Sequence, residues 1–218
     1  MKSLCCILNY NVNNNANFLY NEFNKHMDTC VLDSDSQNTY PYFINVGNFY
    51  YTNLFNNAIK KFKKWKKYQN LLILTSDIHM STDAIKYISN IANQDLKDIG
   101  VYQLQTDTSS RDYFNSYSLI NNKNHIDNHL YETNYIEGFF QLISGDIARK
   151  HDEIPHDVNK YGVCIDQYTT LLCKKYNKRM IVDTTYTIHH SHKRGYSNEK
   201  AHAFDKIFKR WYLNKIYG

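Results

Sequence analysis

Leu71-Leu-Ile-Leu-Thr-Ser-Asp-Ile-His79 is the stretch of the chain that predicts the fold most directly. Its apolar run is too short to span a membrane, and it stops at one carboxylate followed by a histidine. Buried parallel strands have this pattern, and residues just past the carboxyl end of such a strand face the ligand crevice of an open α/β sheet. Asp77 is therefore the first residue that we expect to take part in chemistry.

Strand and helix patterns alternate on both sides of this stretch. Short apolar runs predict strands over 3–9, 29–32, 44–46, 101–105, 135–143 and 179–182. Amphipathic runs predict helices over 13–26, 51–68, 82–93, 162–175 and 198–217, and the polar segment 109–129 is typical of a loop. This alternation predicts an α/β fold with an open, mostly parallel sheet flanked by helices. A length of 218 residues suits a single domain of this class.

Cysteine usage and the lack of long apolar runs predict the compartment. The five cysteines form no C-x-x-C pair, are odd in number and mostly lie among apolar neighbours, as buried thiols do. Asn9 cuts the first apolar run well below signal-peptide length, and no later run is long enough to cross a bilayer. We therefore expect a cytoplasmic protein without a transmembrane segment.

The formal net charge of +5 is unevenly distributed along the chain. Six lysines lie between Lys60 and Lys67, and seven Lys or Arg residues lie between Lys193 and Gly218. Such runs are most often the solvated faces of helices. The basic C-terminal helix is also a candidate for docking on a phosphate-rich acceptor or an anionic membrane surface.

The order of the strand ends resembles a known family. The segments Ile7-Leu-Asn-Tyr-Asn11, Val31-Leu-Asp-Ser-Asp-Ser36 and Leu72-Ile-Leu-Thr-Ser-Asp77 are similar to the first, second and donor strands of nucleotide-sugar glycosyltransferases with the GT-A fold, nearest to glycosyltransferase family 2. The resemblance covers nearly the whole chain. It implies a nucleotide-sugar-binding half over 1–100 and an acceptor-binding half over 101–218, which includes the basic C-terminal helix.

On the donor side, the resemblance implies both a nucleotide site and a cation site. The implied donor-binding residues are Asn9, Tyr10, Asn11, Asp33, Ser76, Asp77, Lys193 and Arg194. A divalent metal, Mn²⁺ or Mg²⁺, would be held by Asp77 with His190 or His189. Thr75 stands two residues before Asp77, where the family commonly has a second acid.

On the acceptor side, two further segments carry the resemblance. Tyr135-Ile-Glu-Gly-Phe-Phe140 is similar to the acceptor-side strand, and Tyr161-Gly-Val-Cys-Ile-Asp166 is similar to the segment with the catalytic base. Asp166 is the implied base, and Glu137 is a second candidate. The resemblance to family 2 implies inversion at the anomeric carbon.

The late histidines His189, His190 and His192 also raise the question of structural zinc. No Cys or His lies elsewhere in the chain at a paired spacing that would complete such a site, and there are no thiolates nearby. The sequence therefore favours the donor-side role for this segment.

Three classes of function stay open from the sequence. The first is an enzyme that moves a sugar, with UDP-hexose as the expected donor, to a hydroxyl of a surface glycan or glycolipid. The second is a phage-type DNA glycosyltransferase acting on hydroxymethylated pyrimidines, a reading favoured by the two basic segments. The third is a non-catalytic nucleotide or nucleic-acid binding module that keeps the fold without the activity.

Overall fold

A computed structural model of the protein describes residues 2–47, 50–107, 125–191 and 198–218. Within these ranges ten strands form one sheet. The strands are β1 Lys2–Asn9, β2 Asp28–Asp33, β3 Ile44–Asn45, β4 Tyr68–Thr75, β5 Ile78–His79, β6 Ile99–Thr106, β7 His125–Asp127, β8 Leu130–Glu132, β9 Phe140–Ser144 and β10 Arg179–His190. The helices are α1 Asn13–Phe23, α2 Tyr51–Lys64, α3 Thr82–Ala92, α4 Gly145–Lys150, α5 Ile165–Lys175 and α6 Asn198–Tyr217.

The sheet has the order β3-β2-β1-β4-β9-β6-β10-β8-β7, and β5 pairs separately with β10. Strands β3, β2, β1 and β4 run parallel to one another, and β6 runs parallel to β10. Strand β9 is antiparallel to both β4 and β6 and so joins the two groups. The predicted open α/β sheet with flanking helices is confirmed. Because β1, β2 and β4 are parallel, their carboxyl ends meet at one edge.

Helices cover both faces of the central strands, which explains why these strands are apolar throughout. In β1, Leu4, Cys6 and Leu8 pack on one face, and Cys5 and Ile7 pack on the other. The first face is covered by α2, α5 and α6, and the second by α1 and α3. A strand that is buried on both sides needs apolar residues at consecutive positions rather than in alternation.

The sequence-based boundaries fail where side chains replace the sheet hydrogen bonds of the backbone. The predicted strand over 135–143 is wrong in its first half, because β9 begins only at Phe140. The Gln103 side chain bonds the backbone N–H and C=O of Glu137, at 3.1 and 3.3 Å. The Thr133 hydroxyl bonds the N–H and C=O of Tyr135, at 3.1 and 2.7 Å. These bonds satisfy the backbone outside the sheet.

Strand β10 is much longer than the predicted strand over 179–182. It continues to His190 through a register shift against β6 between Asp183 and Thr187. The predicted strand stops before Asp183 because a carboxylate interrupts the apolar pattern. In the structure Asp183 is fully buried, and its carboxylate accepts hydrogen bonds from the hydroxyls of Tyr87, at 2.7 Å, and Tyr102. The extension matters for function because it brings His189 and His190 alongside β5.

The β7–β8 hairpin and α2 also depart from the boundaries predicted from the sequence. The hairpin of β7 and β8 begins inside the predicted loop over 109–129, and α2 ends at Lys64 instead of continuing to Tyr68. None of the helices in the described ranges is both long enough and apolar enough to cross a bilayer.

Candidate active site

The first part of the site is at the carboxyl ends of β1 and β2, where Asn9 and Asp33 are register partners. Asp33 is only 1% exposed. Its carboxylate accepts hydrogen bonds from Asn9 Nδ2 at 2.6 Å, from Ser36 N at 2.9 Å and from Ser36 Oγ at 2.7 Å. The sequence assigned both Asn9 and Asp33 to donor binding, and the geometry brings them together, with Asn9 orienting Asp33.

The loop after β1 carries the other two residues assigned to this end. Asn11 adopts a left-handed backbone conformation with φ of 56°, and its N–H donates to Ser36 Oγ at 2.8 Å. Asparagine tolerates this conformation better than most residues. Tyr10 is 54% exposed, which leaves its ring accessible beside the Asn9 position.

Asn15 fixes the backbone turn that carries Asp77, a role that the sequence did not reveal. Its side-chain amide donates to the carbonyl oxygens of Ser76 and Ile78, both at 2.7 Å. Ser76 itself is buried, and its N–H donates to the carbonyl of Leu8 at 2.9 Å. The loops after β1 and β4 are therefore joined by direct hydrogen bonds.

Asp77 lies directly beyond β4 and pairs with His190 at the end of β10. The distance from His190 Nε2 to Asp77 Oδ2 is 3.1 Å, and both side chains are largely buried, at 11% and 17% exposure. Burial alone would raise the pKa of Asp77, but the hydrogen bond from His190 and its charge outweigh burial and lower that pKa. The carboxylate is thus held ionised at neutral pH.

The two late histidines have different partners, although the sequence treated them as alternatives for one site. His190 contacts Asp77, and its ring stacks on Phe139 with centroids 4.0 Å apart. His189 instead bonds through Nδ1 to Asp107. Adjacent residues of a strand point to opposite faces, so only one of the pair reaches Asp77.

Asp166 is the second residue of α5. Cys164, which precedes the helix, has a left-handed backbone conformation with φ of 62°. Asp166 is 6% exposed. Oδ1 accepts a hydrogen bond from the N–H of Gln167 at 2.8 Å, and Oδ2 accepts one from the hydroxyl of Tyr135. A carboxylate in the first turn is also stabilised by the helix dipole.

Gly138, which follows the second acid candidate in the chain, lies close to Asp166. A Cβ added at Gly138 would lie 3.6 Å from Asp166 Cβ. The hydroxyl of Tyr51, at the first residue of α2, donates to the Gly138 carbonyl at 2.6 Å. Glu137 is completely buried, and Asp166 is nearly so.

Two adjacent residues connect the surroundings of Asp77 to those of Asp166. Gly138 lies against Asp166, while Phe139 stacks on His190 and accepts a hydrogen bond from Thr75 N at 2.9 Å. Asp166 therefore lies against this short backbone segment directly, and Asp77 is linked to it through the ring of His190. Lys193 and Arg194, which the sequence assigned to the donor phosphates, lie outside the described residues.

The Asp77 carboxylate fits a divalent cation. Its Oδ1 atom is buried and has no hydrogen-bond partner among the described residues, whereas Oδ2 is occupied by His190. No group of three or more His, Cys, Asp and Glu in the described ranges is placed to hold a metal ion. Mg²⁺ and similar hard ions are commonly held by one or two carboxylates, with substrate phosphates and water as the other ligands. A single free carboxylate oxygen is consistent with that mode.

Comparisons by sequence return nothing: no family model matches the chain, and no curated protein matches it. Solved structures do match. S. aureus TarS has a TM-score of 0.56 at 11% identity over 98% of this chain and 72% of its own. GalNAc-T7, solved with UDP, GalNAc and Mn²⁺, has a TM-score of 0.58 at 8% identity over 99% of this chain and 50% of its own.

A mycobacterial protein matches equally well, with a TM-score of 0.57 at 8% identity over 99% of this chain and 75% of its own. At such low identities these likenesses establish the fold alone. TarS and GalNAc-T7 are glycosyltransferases. The chain spans half the length of the GalNAc-T7 chain. The protein has the GT-A-like glycosyltransferase fold, as the order of its strand ends predicts.

Proposed function

We propose that this protein is a glycosyltransferase that moves a sugar from a nucleotide-sugar to an acceptor hydroxyl. The observation that carries the proposal is that Asp166 lies against Gly138 while His190, the partner of Asp77, stacks on the adjacent Phe139. One carboxylate lies at the carboxyl edge of the parallel strands, where ligands of open α/β sheets bind. We assign the other, Asp166, to the second substrate of the reaction.

Donor binding is assigned to the carboxyl ends of β1, β2 and β4. We assign Asp33, which Asn9 and Ser36 hold in one orientation, to the hydroxyl or N–H groups of a nucleoside. Tyr10 offers an accessible ring for stacking on a base. Lys193 and Arg194 remain our proposal for the diphosphate, because their charges suit phosphate oxygens.

Asp77 is the residue that would hold Mn²⁺ or Mg²⁺ through Oδ1. When bound, such a cation stabilises the negative charge that develops on a leaving diphosphate. His190 donates to Oδ2 and fixes the orientation of the carboxylate, and Phe139 fixes the ring of His190. These contacts thus hold the Asp77 carboxylate in one orientation and ionised before the donor arrives.

Asp166 is assigned the role of base. An inverting transfer needs a carboxylate that takes the proton of the acceptor hydroxyl while its oxygen attacks the anomeric carbon. The hydrogen bonds from Gln167 N–H and Tyr135 hold the Asp166 carboxylate in one orientation. Proton transfer to Asp166 balances the charge that leaves with the nucleoside diphosphate.

UDP-hexoses are the first donors to test, since the similar GalNAc-T7 was solved with UDP. A donor screen by thermal shift, with and without Mn²⁺, should show a higher melting temperature for the correct nucleotide-sugar because it binds only the folded state. Hydrolysis of that donor should then be measured. Binding without hydrolysis or transfer would favour the non-catalytic nucleotide-binding module.

For the acceptor we propose a surface glycan or glycolipid rather than DNA. The lysines of α2 lie about 14–20 Å along the helix from Tyr51, at about 1.5 Å per residue. Tyr51 is the end that contacts Gly138 at the site, and Lys60 and Lys67 are paired with Glu153 and Asp28. These charges are therefore poorly placed for a duplex in the crevice. Incorporation of radiolabelled sugar into hydroxymethylated DNA at low salt would reverse this choice.

A further inference from the structure

A cavity opens at the edge of the sheet opposite the proposed active site. It lies where β1 and β4 begin and β9 ends, at the strand pairs of Lys2 with Tyr68 and of Asn70 with Ser144. Its volume of about 370 Å³ is near the lower end of the range of about 300–1,000 Å³ that is typical for small-molecule sites. Along β4, Tyr68 and Thr75 are about 23 Å apart, at about 3.3 Å per residue. The cavity is therefore separate from the proposed active site.

Positive charge predominates around the cavity. Five exposed cations line it, namely Lys2, Lys66, Lys67, Lys97 and Arg149. The lining carboxylates are Asp95, 3.8 Å from Lys97 Nζ, and Asp146, which is paired with Lys178 at 3.0 Å. Lys66 and Arg149 form no ion pair with any described residue. An anionic ligand could therefore bind here without displacing an acid from either of them.

The wall that carries Arg149 is held by contacts with the backbone. Arg149 Nη2 donates to the carbonyl oxygen of Tyr68 at 2.8 Å, and the guanidinium lies over the ring of Phe62, 5.1 Å from its centroid. Gly145 lies so close to Gln69 that an added Cβ would clash with the Gln69 carbonyl oxygen. A guanidinium has five N–H donors, so others remain for the oxygens of a phosphate group.

Two buried polar atoms of the lining residues have no hydrogen-bond partner in the described part of the chain. They are Ser144 Oγ and Gln69 Oε1. Ser144 is 4% exposed and directly precedes α4, yet its hydroxyl does not cap that helix. Buried polar atoms in proteins are nearly always hydrogen-bonded. Since Gln69 Oε1 can only accept, its partner in a ligand would be a hydroxyl group and not a phosphate oxygen.

We propose that this cavity binds a small phosphorylated polyol, such as a sugar phosphate. Lys66, Arg149 and the neighbouring lysines would hold the phosphate oxygens through charge-assisted hydrogen bonds. Ser144 and Gln69 would bond the hydroxyl groups, which gives both buried atoms a partner. The concave shape suits a soluble molecule better than the flat surface of a bilayer.

The test is calorimetric titration with glycerol 3-phosphate, which carries a phosphate group and two hydroxyl groups, in a buffer that contains EDTA. We expect one molecule bound per chain, with weaker binding of inorganic phosphate and no binding of glycerol. The double variant Lys66→Gln/Lys97→Gln should bind glycerol 3-phosphate at least about tenfold more weakly, because charge-assisted hydrogen bonds are lost. Lys64→Gln, at an exposed lysine of the same run that does not line the cavity, should bind it as the wild type does.

Ser144→Ala distinguishes recognition of the hydroxyl groups from simple attraction of an anion. It should remove most of the preference for glycerol 3-phosphate over inorganic phosphate. It should not lower the melting temperature, because the Ser144 hydroxyl forms no hydrogen bond with a described residue.

Equal affinity for glycerol 3-phosphate in the wild type and in Lys66→Gln/Lys97→Gln would overturn the proposal, as would absence of binding to the wild type. Flotation with phosphatidylcholine vesicles that contain phosphatidic acid tests the lipid source of the same phosphate chemistry. Binding to these vesicles without binding of the soluble probe would reject the small-molecule site in favour of a lipid surface. None of these results depends on whether the protein transfers sugar.

Discussion

Phe139 stacks face to face on the imidazole of His190, with ring centroids 4.0 Å apart and planes inclined by 12°. The same histidine donates a hydrogen bond from Nε2 to Asp77 Oδ2 at 3.1 Å. Since Phe139 is 5% exposed and its carbonyl is bonded to Thr75, the ring is a fixed surface. The orientation of Asp77 therefore depends in part on a residue that has no group able to ligate a cation or accept a proton.

We predict that Phe139→Leu lowers the rate of donor hydrolysis about tenfold while the donor KM changes less. The leucine fills part of the space but offers no flat face, so the His190 ring gains rotational freedom and holds Asp77 less well. Loss of aromatic volume should also lower the free energy of unfolding by about 1–2 kcal/mol. Steady-state kinetics and urea denaturation measure the two effects separately.

A double-mutant cycle distinguishes positioning from general damage. If Phe139 acts through His190, then Phe139→Leu should have little further effect on the rate in a His190→Gln background. Fully additive losses in rate would show that Phe139 does not work through His190.

Asp77→Asn should remove the dependence of donor binding on Mn²⁺ or Mg²⁺. The neutral amide keeps the shape of the side chain but lacks the charge that holds a hard cation. We expect the wild type to lose donor affinity in EDTA and the variant to show the same weak affinity with and without metal. Isothermal titration with the identified nucleotide-sugar measures this, and Asp83→Asn, at an exposed acid in the first turn of α3, is the matched control. Metal-dependent binding that survives in Asp77→Asn would exclude this carboxylate as the ligand.

The fold could be predicted from sequence because its first half follows local rules. The run that ends at Asp77 is apolar at consecutive positions since both faces of β4 are buried, and α3 begins at a serine that caps it. The first part of the 135–143 prediction failed for a reason that local patterns do not contain. The side chain of Gln103, 34 positions away in the sequence, forms hydrogen bonds with the backbone N–H and C=O of Glu137.

The site was less predictable than the fold, because its contacts join residues that are far apart in sequence. Aspartates after strands gave a signal for Asp33 and Asp77, whereas Asp166, near the start of a helix, was selected through the family resemblance alone. The residues that orient these aspartates gave no recognisable signal in the sequence. Asn15 resembles its neighbours in an asparagine-rich run, and Phe139 resembles any buried aromatic residue. Only the extension of β10 shows which of His189 and His190 meets Asp77.

Asp166→Asn should reduce sugar transfer by about 10²- to 10⁴-fold, the range typical for loss of a general base. Donor affinity should stay within about twofold of the wild type, because the acceptor-side carboxylate does not contact the nucleotide in the proposed arrangement. Single-turnover transfer and donor titration measure the two quantities. Glu132→Gln, at a half-exposed acid paired with Arg179, provides a control. Transfer at the wild-type rate in Asp166→Asn would remove this residue from the mechanism.

His151 should make the protein sensitive to acid. It is fully buried between Phe55 and Tyr168, and burial, with a smaller contribution from the charge of Lys63, lowers its pKa to about 3. The unfolded chain takes up a proton near pH 6.5, but the folded protein does not until about pH 3. Folding stability therefore falls as the pH drops below about 6.5, by up to about 1.4 kcal/mol per unit.

Between pH 7.5 and pH 5, urea denaturation should show that the wild type loses about 2 kcal/mol more than His151→Gln. His26→Gln, at an exposed histidine, should lose as much as the wild type, and equal losses in all three proteins would show that His151 is not the sensitive group.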